Sequence, residues 1–567
     1  MNSENSWKIQ AICITIAGLL AHGLLLLTDY QVWDSFILGF FAQDSQNWKH
    51  LEHWCRDYGR PFDILFYLPY YGNEHLVFWS KAFGLSLWVG TFLLINSTLS
   101  PLLCIPRLHA FLIALVGVTL PFYEYVGEFV FNIYTIPYFL FWVGVYFYLR
   151  TNTARFPYFL IFRIGALAFF WFSFAFNALI LFYLSIILVQ LFLKSKVDGK
   201  FFLKSLGRKL LRNLDFLLIP FVFWMHKSIF CPLQGYPAQT GYNTIQKNIS
   251  IYLTGTFASM EGISQRLLSI FDSFDVFFYL ATITLFFSII AISFRLTPNS
   301  PPANRKMIFQ NILLGIFLLG AILFPYIAVG KPYGAFGYES RIGIGMNMPI
   351  AMILVMFGFF LQSVFEKWNR VRLVFIAACC GFGILESNRN YLRLSGYYAK
   401  QQSIVAKIQD AVESAPGTSV VHMREYFQMP KTTQWVPAVA WTYMATDADS
   451  LPNFLVVDTR NFIHDRQPAT GTLSLISSYP QLEFKPEDIE HFCWLSSIPY
   501  TLENIARQGK TLNLAALEGS WGGDAEEIGK EYLMNRFFSF EKMPQFMQQI
   551  TMVVSLENDN LNEIITR

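Results

Sequence analysis

The chain has 567 residues, of which 54% are hydrophobic and only 14% are charged. Soluble globular proteins usually carry about 25% charged residues, so this composition excludes an ordinary soluble protein over most of the length. Residues 401–567 carry a net charge of −9, whereas the first 400 residues carry a net charge of +12. This asymmetry predicts a polytopic α-helical membrane protein with one acidic soluble domain attached. The basic residues of the first part lie in short loops between apolar runs, which does not indicate nucleic-acid binding.

A helix that crosses the hydrocarbon core of a bilayer needs about 20 apolar residues. The first apolar run has no small-residue cleavage site after it, so we expect a retained helix rather than a removed signal peptide. The length criterion predicts about eleven transmembrane helices, near residues 9–28, 74–98, 106–121, 133–149, 157–174, 177–193, 214–230, 273–294, 308–328, 342–365 and 371–387.

Alternate loops between these helices are rich in Lys and Arg, and such loops face the cytoplasm. They contain Lys8, Arg107, Arg150 with Arg155, the run from Lys194 to Arg212, Arg295 with Arg305 and Lys306, and Lys367 with Arg370 and Arg372. We therefore expect a multi-pass protein of the cytoplasmic membrane with its N-terminus inside. On this prediction residues 1–387 form the membrane domain, and residues 388–567 lie on the outer side. The predicted outer loops are 29–73, 122–132, 231–272 and 329–341, and we call the first two the first loop and the second loop.

The tail has a different pattern. Residues 417–422 and 453–458 are short β-branched runs bounded by turn residues, and Ser403 to Glu413 has helical spacing. These patterns predict a small C-terminal α/β domain of extracytoplasmic location.

The first loop (29–73) opens with two aspartates, Asp29 and Asp34. Charge at a membrane boundary is costly unless it faces water or a partner, so it is a functional hypothesis by default. A carboxylate at the mouth of a membrane cavity can act as a general base on an acceptor hydroxyl. Asp34 is the first choice because Trp33 and Phe36 flank it, although solvated, inert carboxylates are the simpler alternative.

The second loop (122–132) places Glu124 and Glu128 four residues apart. If this segment is helical, both carboxylates lie on one face and can bind a divalent cation or orient a sugar. The alternative is an interfacial helix with aromatic anchors. Two carboxylates without a third ligand leave the metal requirement open.

Three basic residues lie on the side where positive charge is scarce, namely Arg60, Lys331 and Arg341. An arginine at this depth can hold a phosphate or pyrophosphate through two parallel hydrogen bonds. The alternative is an interfacial arginine paired with Glu339 or with lipid phosphate.

The stretch Asp29-Tyr-Gln-Val-Trp-Asp34, with Trp54 and Gly59-Arg60-Pro61 further on, resembles the first loop of bacterial glucosyltransferases that modify surface polysaccharide. The layout of spans, acidic outer loops and outer C-terminal domain resembles the GT-C superfamily of membrane glycosyltransferases. The resemblance implies a polyprenyl-phosphate-linked sugar donor, Asp34 or Asp29 as the catalytic carboxylate, and Glu124 or Glu128 positioning donor or metal. It also implies that Arg60 and Arg341 bind the carrier phosphate. The chain lacks the adjacent Asp-Asp pair of that pattern, which leaves open which aspartate is the base.

The resemblance implies an inverting glycosyltransferase that transfers a sugar to an envelope glycan, lipid or protein acceptor on the outer face, and the gathering of carboxylates in the outer loops favours an enzyme. A lipid-linked glycan transporter is the main alternative, and it should place ionisable residues within its spans. A non-enzymatic membrane protein of envelope assembly, whose tail binds a partner, is a third. No cofactor is predicted beyond the possible divalent cation.

Overall fold

The computed structural model describes residues 3–32, 35, 39, 42, 48–73, 75–151, 153–196, 202–233, 245–246, 248–269, 305–365, 371–423, 455–458, 510–518 and 525–555. Asp34 and the predicted span 273–294 lie outside the described residues.

The described part of the first 414 residues is almost entirely helical. Short 3-10 turns lie at Gly23–Leu27, Pro61–Asp63, Leu68–Tyr70, Phe129–Phe131 and Gly337–Gly345. The helices are α1 (Ser3–His22), α2 (Trp48–Asp57), α3 (Ile64–Tyr67), α4 (Leu76–Leu103), α5 (Arg107–Thr119), α6 (Asn132–Thr151), α7 (Tyr158–Ser173), α8 (Ala178–Lys196), α9 (Phe202–Arg212), α10 (Leu214–Phe230), α11 (Ile249–Leu268), α12 (Arg305–Ala328), α13 (Asn347–Val364) and α14 (Val371–Ser414).

Seven helical segments among the described residues are long and apolar enough to cross a membrane. They are Trp7–Leu27, Leu76–Leu103, Phe129–Thr151, Ala178–Ser195, Arg305–Ala328, Asn347–Val364 and Val371–Ser414. Several of these segments expose large apolar side chains, as a surface in contact with lipid requires: Ile12, Trp79 and Phe317 are each more than half exposed. The prediction of a multi-pass helical membrane protein is confirmed.

The other four predicted spans either contain shorter helices or lie outside the described residues. The runs 106–121 and 157–174 contain the shorter apolar helices α5 and α7, and 214–230 coincides with the 17-residue α10. Every residue of α5 except Arg107 is buried, so the apolar character of this helix serves the protein core rather than contact with lipid.

Helix α14 is too long to be a membrane span alone. Its 44 residues extend for about 66 Å, roughly twice the thickness of a hydrocarbon core. The helix runs without a break through residues 387 and 388, where the sequence predicts the end of the membrane domain, and it includes the predicted helical stretch 403–413.

Two further helices, α15 (Ala525–Phe538) and α16 (Met543–Ile550), pack along the distal part of α14. Glycines allow this close approach, because a Cβ at Gly396 would overlap the backbone of Ala525 and one at Gly529 would overlap that of Leu392. Ala399, Ile528 and Phe546 share the small apolar core between the three helices. Helices α15 and α16 are therefore fixed to the last long helix.

Four short strands complete the described tail: β1 (Thr418–Met423), β2 (Leu455–Asp458), β3 (Lys510–Glu518) and β4 (Thr551–Ser555). Their order in the sheet is β2-β1-β3-β4. Strand β1 runs parallel to β2 and β3, and β3 runs antiparallel to β4. Strands β1 and β2 fall on the two β-branched runs of the tail.

The second loop approaches α4 through a contact between two glycines. Gly127 has φ +79°, a conformation that favours glycine, and a Cβ there would lie 2.7 Å from the Cα of Lys81. A Cβ at Gly84 would overlap the Cα of Gly127. This contact holds residues 121–128 at the end of the bundle where residues 28–32 and Ser35 also lie, and we call this the acidic end.

We expect Gly84→Ala to lower the free energy of unfolding by about 1–3 kcal/mol, because the added methyl group collides with backbone that cannot rotate away. The measurement is thermal unfolding of the purified protein in detergent. Gly320→Ala in α12 is the matched control, since a Cβ there has nothing within 4 Å. Equal melting temperatures for the two variants would contradict the close packing of Gly84 on Gly127.

Candidate functional site at the acidic end

Asp29, the first predicted catalytic residue, is partly exposed and pairs with the tail. Its carboxylate contacts the guanidinium of Arg536 in α15, and Arg536 Nη1 also donates a hydrogen bond to the carbonyl of Leu27 at 3.4 Å. Both side chains keep about a third of their surface exposed. The tail helix therefore contributes a charged residue to the start of the first loop.

Glu128 of the second loop binds the first loop on both sides of Asp34. Its Oε2 accepts hydrogen bonds from the backbone N–H of Val32 and from the Ser35 hydroxyl, both at 3.2 Å. The Ser35 N–H donates to the Val32 carbonyl at 3.0 Å, and Ser35 Oγ accepts from Val130 N–H at 3.2 Å. The two residues that bracket positions 33 and 34 are thus fixed to the second loop.

Glu128 is only 1% exposed, and its Oε1 has no hydrogen-bond partner among the described residues. Burial raises the pKa of this carboxyl to about 7, and the nearby charge of Lys81 opposes the rise. Near neutral pH, Glu128 can therefore hold or release a proton.

Lys81 supplies buried positive charge to the same place. Its Nζ donates to the carbonyl and the hydroxyl of Thr28 at 2.9 and 3.1 Å and lies 3.8 Å from the centre of the Tyr30 ring. Lys81 is not among the predicted site residues, because those residues all lie in the predicted loops whereas Lys81 lies in a predicted span. The available signal was a lone lysine in the second turn of the predicted span 74–98.

The second loop is not helical between Pro121 and Glu128, so both helical interpretations of Glu124 and Glu128 are wrong. Pro121 and the positive φ of Gly127 interrupt the segment. The two carboxylates consequently have separate partners: Glu124 accepts from Arg266 Nη1 at 2.8 Å and from Ser340 Oγ at 3.2 Å.

Glu124 belongs to a network of charges that connects four parts of the chain. Arg266 of α11 also lies 3.5 Å from Glu386 of α14, and Arg389 and Arg393 approach the same carboxylate at 3.2 and 3.3 Å. Arg389 continues to Glu526 of α15 at 3.1 Å. Arg266 and Glu386 are each 1% exposed, so these charges depend on one another for solvation. No local pattern in the sequence indicates this network, because its members are far apart in the chain.

Arg341 and Lys331 lie beside this network. Arg341 is 2% exposed in the 3-10 segment Gly337–Gly345, next to Ser340, which donates to Glu124. Lys331 is half-buried after α12, and burial, reinforced by the charge of Arg341, lowers its pKa to about 8. Both remain candidates for binding a phosphate.

Arg60 forms a separate site with Asp63. Arg60 Nε lies 2.7 Å from the Asp63 carboxylate, and Nη2 donates to the carbonyl of Ala175 at 3.2 Å. Asp63 is 1% exposed, and burial raises its pKa to about 6 against the opposing charge of Arg60. The guanidinium therefore already has an anionic partner within the first loop.

We expect Glu386→Gln to destabilise the protein by about 3–5 kcal/mol, because the buried Arg266 and the half-buried Arg389 and Arg393 lose a shared carboxylate partner. Unfolding in detergent, followed by temperature or denaturant, measures the change. Asp410→Asn in the same helix is the control: Asp410 pairs with Lys407 at 3.3 Å but is 67% exposed, so its loss should change stability by less than about 1 kcal/mol. A Glu386 variant as stable as the control would show that the network is not a structural requirement.

The pKa of Glu128 predicts a dependence of stability on pH. Between its ordinary pKa of 4.5 and about 7 the folded state binds more protons at this group than the unfolded state does. The free energy of unfolding therefore falls as the pH rises through this window, by up to about 1.4 kcal/mol per pH unit. We expect this part of the slope to vanish in Glu128→Gln, while Asp63 titrates alike in both proteins. Melting temperatures from pH 4.5 to 8 measure it, and parallel curves for the two proteins would contradict the raised pKa.

Comparisons with protein-family models, curated proteins and solved structures found no match to this chain.

Proposed function

We propose that the chain is an inverting glycosyltransferase of the GT-C type. It would transfer a sugar from a polyprenyl-phosphate carrier to an envelope glycan, lipid or protein acceptor on the outer face of the cytoplasmic membrane. The observation that supports this proposal is the contact of Glu128 with Val32 and Ser35. This contact joins the first loop to the second loop at the part of the sequence that contains Asp29 and Asp34.

The proposal takes its topology from the loop charges: about eleven spans, a cytoplasmic N-terminus and an outer α/β domain at 388–567. The acidic end then faces outward. The contact between Arg536 and Asp29 agrees with this arrangement, since it places the tail on the same side as the first loop.

Asp34 is the proposed general base. Glu128 acts as a positioning residue by fixing Val32 and Ser35, and Asp29 takes a supporting role because the guanidinium of Arg536 already neutralises it. In the reaction, the base accepts the proton of the acceptor hydroxyl as its oxygen attacks C1 of the donor sugar from the face opposite the carrier. The bond between C1 and the phosphate oxygen breaks, and its electron pair leaves with the polyprenyl phosphate.

Positive side chains would stabilise the leaving phosphate. Lys331 and Arg341 are the first candidates, because Glu124 holds Ser340 beside Arg341. Arg60 would have to exchange Asp63 for the phosphate. The described residues contain no group of three His, Cys, Asp or Glu side chains arranged for a metal ion, and the proposal assigns no metal ligand.

A lipid-linked glycan transporter is the second candidate. The observation in its favour is Lys81, an ionisable residue that is 1% exposed within a candidate span, since such residues mark transport paths. Its hydrogen bonds to Thr28 place this charge at the acidic end, which is also compatible with the enzyme.

We expect Asp34→Asn to reduce sugar transfer by about 10²–10⁴-fold, the usual contribution of a general base. Ser35→Ala, which removes one hydrogen bond to Glu128, should reduce it by a smaller factor. The assay follows labelled sugar leaving polyprenyl-phosphate donors in the presence of purified full-length protein. Asp57→Asn in α2 is the matched first-loop control and should keep the native rate.

Native rates for both Asp34→Asn and Asp29→Asn would show the proposed mechanism to be wrong. Movement of an intact lipid-linked glycan across proteoliposomes, with no sugar released from any donor, would identify the transporter instead.

A further inference from the structure

A second site lies at the other end of the bundle, which we call the basic end because α9 carries Lys204, Arg208, Lys209 and Arg212 there. A cavity of about 600 Å³ opens between α4, α8, α9 and α12. This volume is within the range of pockets that bind small molecules, about 300–1,000 Å³. Its wall is mainly aliphatic and aromatic, as Leu103, Phe192, Leu206 and Leu314 illustrate.

One buried polar group interrupts this apolar wall. Asn311 of α12 is 7% exposed and lines the cavity, and its Nδ2 has no hydrogen-bond partner among the described residues. An amide NH₂ group donates two hydrogen bonds and accepts none, and leaving it unsatisfied is costly. A ligand with an uncharged oxygen acceptor next to Asn311 would therefore satisfy this group.

Helix α9 covers the cavity at the basic end of the bundle. Leu206 and Leu210 line it, Lys204 and Arg208 are exposed, and Phe202 packs on Phe192 of α8 with ring centres 5.3 Å apart. Leu203 is also exposed, at 79%, which is typical of a helix that lies at the membrane surface with apolar side chains in lipid. The cations of α9 therefore lie at the depth of the lipid headgroups.

We propose that this cavity binds an anionic glycerophospholipid from the leaflet that faces the basic end. The acyl chains fill the apolar space, an ester carbonyl accepts from Asn311 Nδ2, and Lys204 and Arg208 attract the phosphate. The depths agree, since Asn311 lies six residues, or about 9 Å, along α12 from its first residue, Arg305. This site is independent of the proposed glycosyl transfer.

The test uses full-length protein, stripped of lipid in detergent, with added dioleoyl phosphatidylglycerol or dioleoyl phosphatidylcholine. Native mass spectrometry counts bound lipid, and the melting temperature reports stabilisation by a ligand that binds the folded state. We expect one tightly bound phosphatidylglycerol per chain, a higher melting temperature, and at least tenfold weaker binding of phosphatidylcholine.

Leu206→Trp should fill the cavity and weaken phosphatidylglycerol binding at least tenfold, whereas Leu203→Trp on the same helix, outside the lining, should leave it unchanged. Asn311→Leu keeps the volume and removes the unpaired amide, so it should weaken lipid binding several-fold without lowering the melting temperature of the lipid-free protein. Replacing Lys204 and Arg208 by Gln should abolish the preference for the anionic lipid.

Undiminished lipid binding in both Leu206→Trp and Asn311→Leu would overturn the site. Equal binding of the two phospholipids by the native protein would overturn the role of the cations.

Discussion

A buried carboxylate must be paired, hydrogen-bonded or protonated, and the acidic end of this protein depends on that constraint. Three glutamates meet it in different ways. Glu386 is surrounded by Arg266, Arg389 and Arg393, and Glu124 shares Arg266 with it. Glu128 instead accepts from the first loop and has its pKa raised to about 7 by burial. Because the partners come from loops and helices far apart in the chain, satisfying these three groups also fixes where the loops lie.

The two ends of the bundle differ in where their charged side chains lie. At the acidic end, charges are buried and compensated by specific partners, so that geometry is strict. At the basic end, the cations of α9 remain largely exposed, and the buried element is an apolar cavity with one unpaired amide. These differences support the proposed sugar transfer at the acidic end, where charged groups are held by specific partners, and the proposed lipid site at the basic end.

Much of the helical framework could be predicted from the sequence, because a membrane span is a continuous run of apolar residues and needs no information from distant parts of the chain. Helix α2 places Trp48, Leu51 and Cys55 at helical spacing, so it too has a local signal in the sequence. The helical prediction for the second loop is wrong, since a local pattern does not show that Gly127 must contact α4 at Gly84. The ion pair of Arg266 with Glu124 joins residues 142 positions apart, and no periodicity in the sequence records such a pair.

The proposal of Asp34 as the general base follows from the burial and the partners of the other acidic residues. A general base must reach its substrate and must not be held by a cation that lowers its tendency to accept a proton. Glu386 and Glu124 are buried against arginines, and Asp29 is paired with Arg536. Glu128 has a suitable pKa, but its 1% exposure keeps it from an acceptor sugar. Its position instead suits it to hold the Val32–Ser35 segment, which carries Asp34, the one carboxylate of the proposed pair that the sequence places between two residues fixed by Glu128.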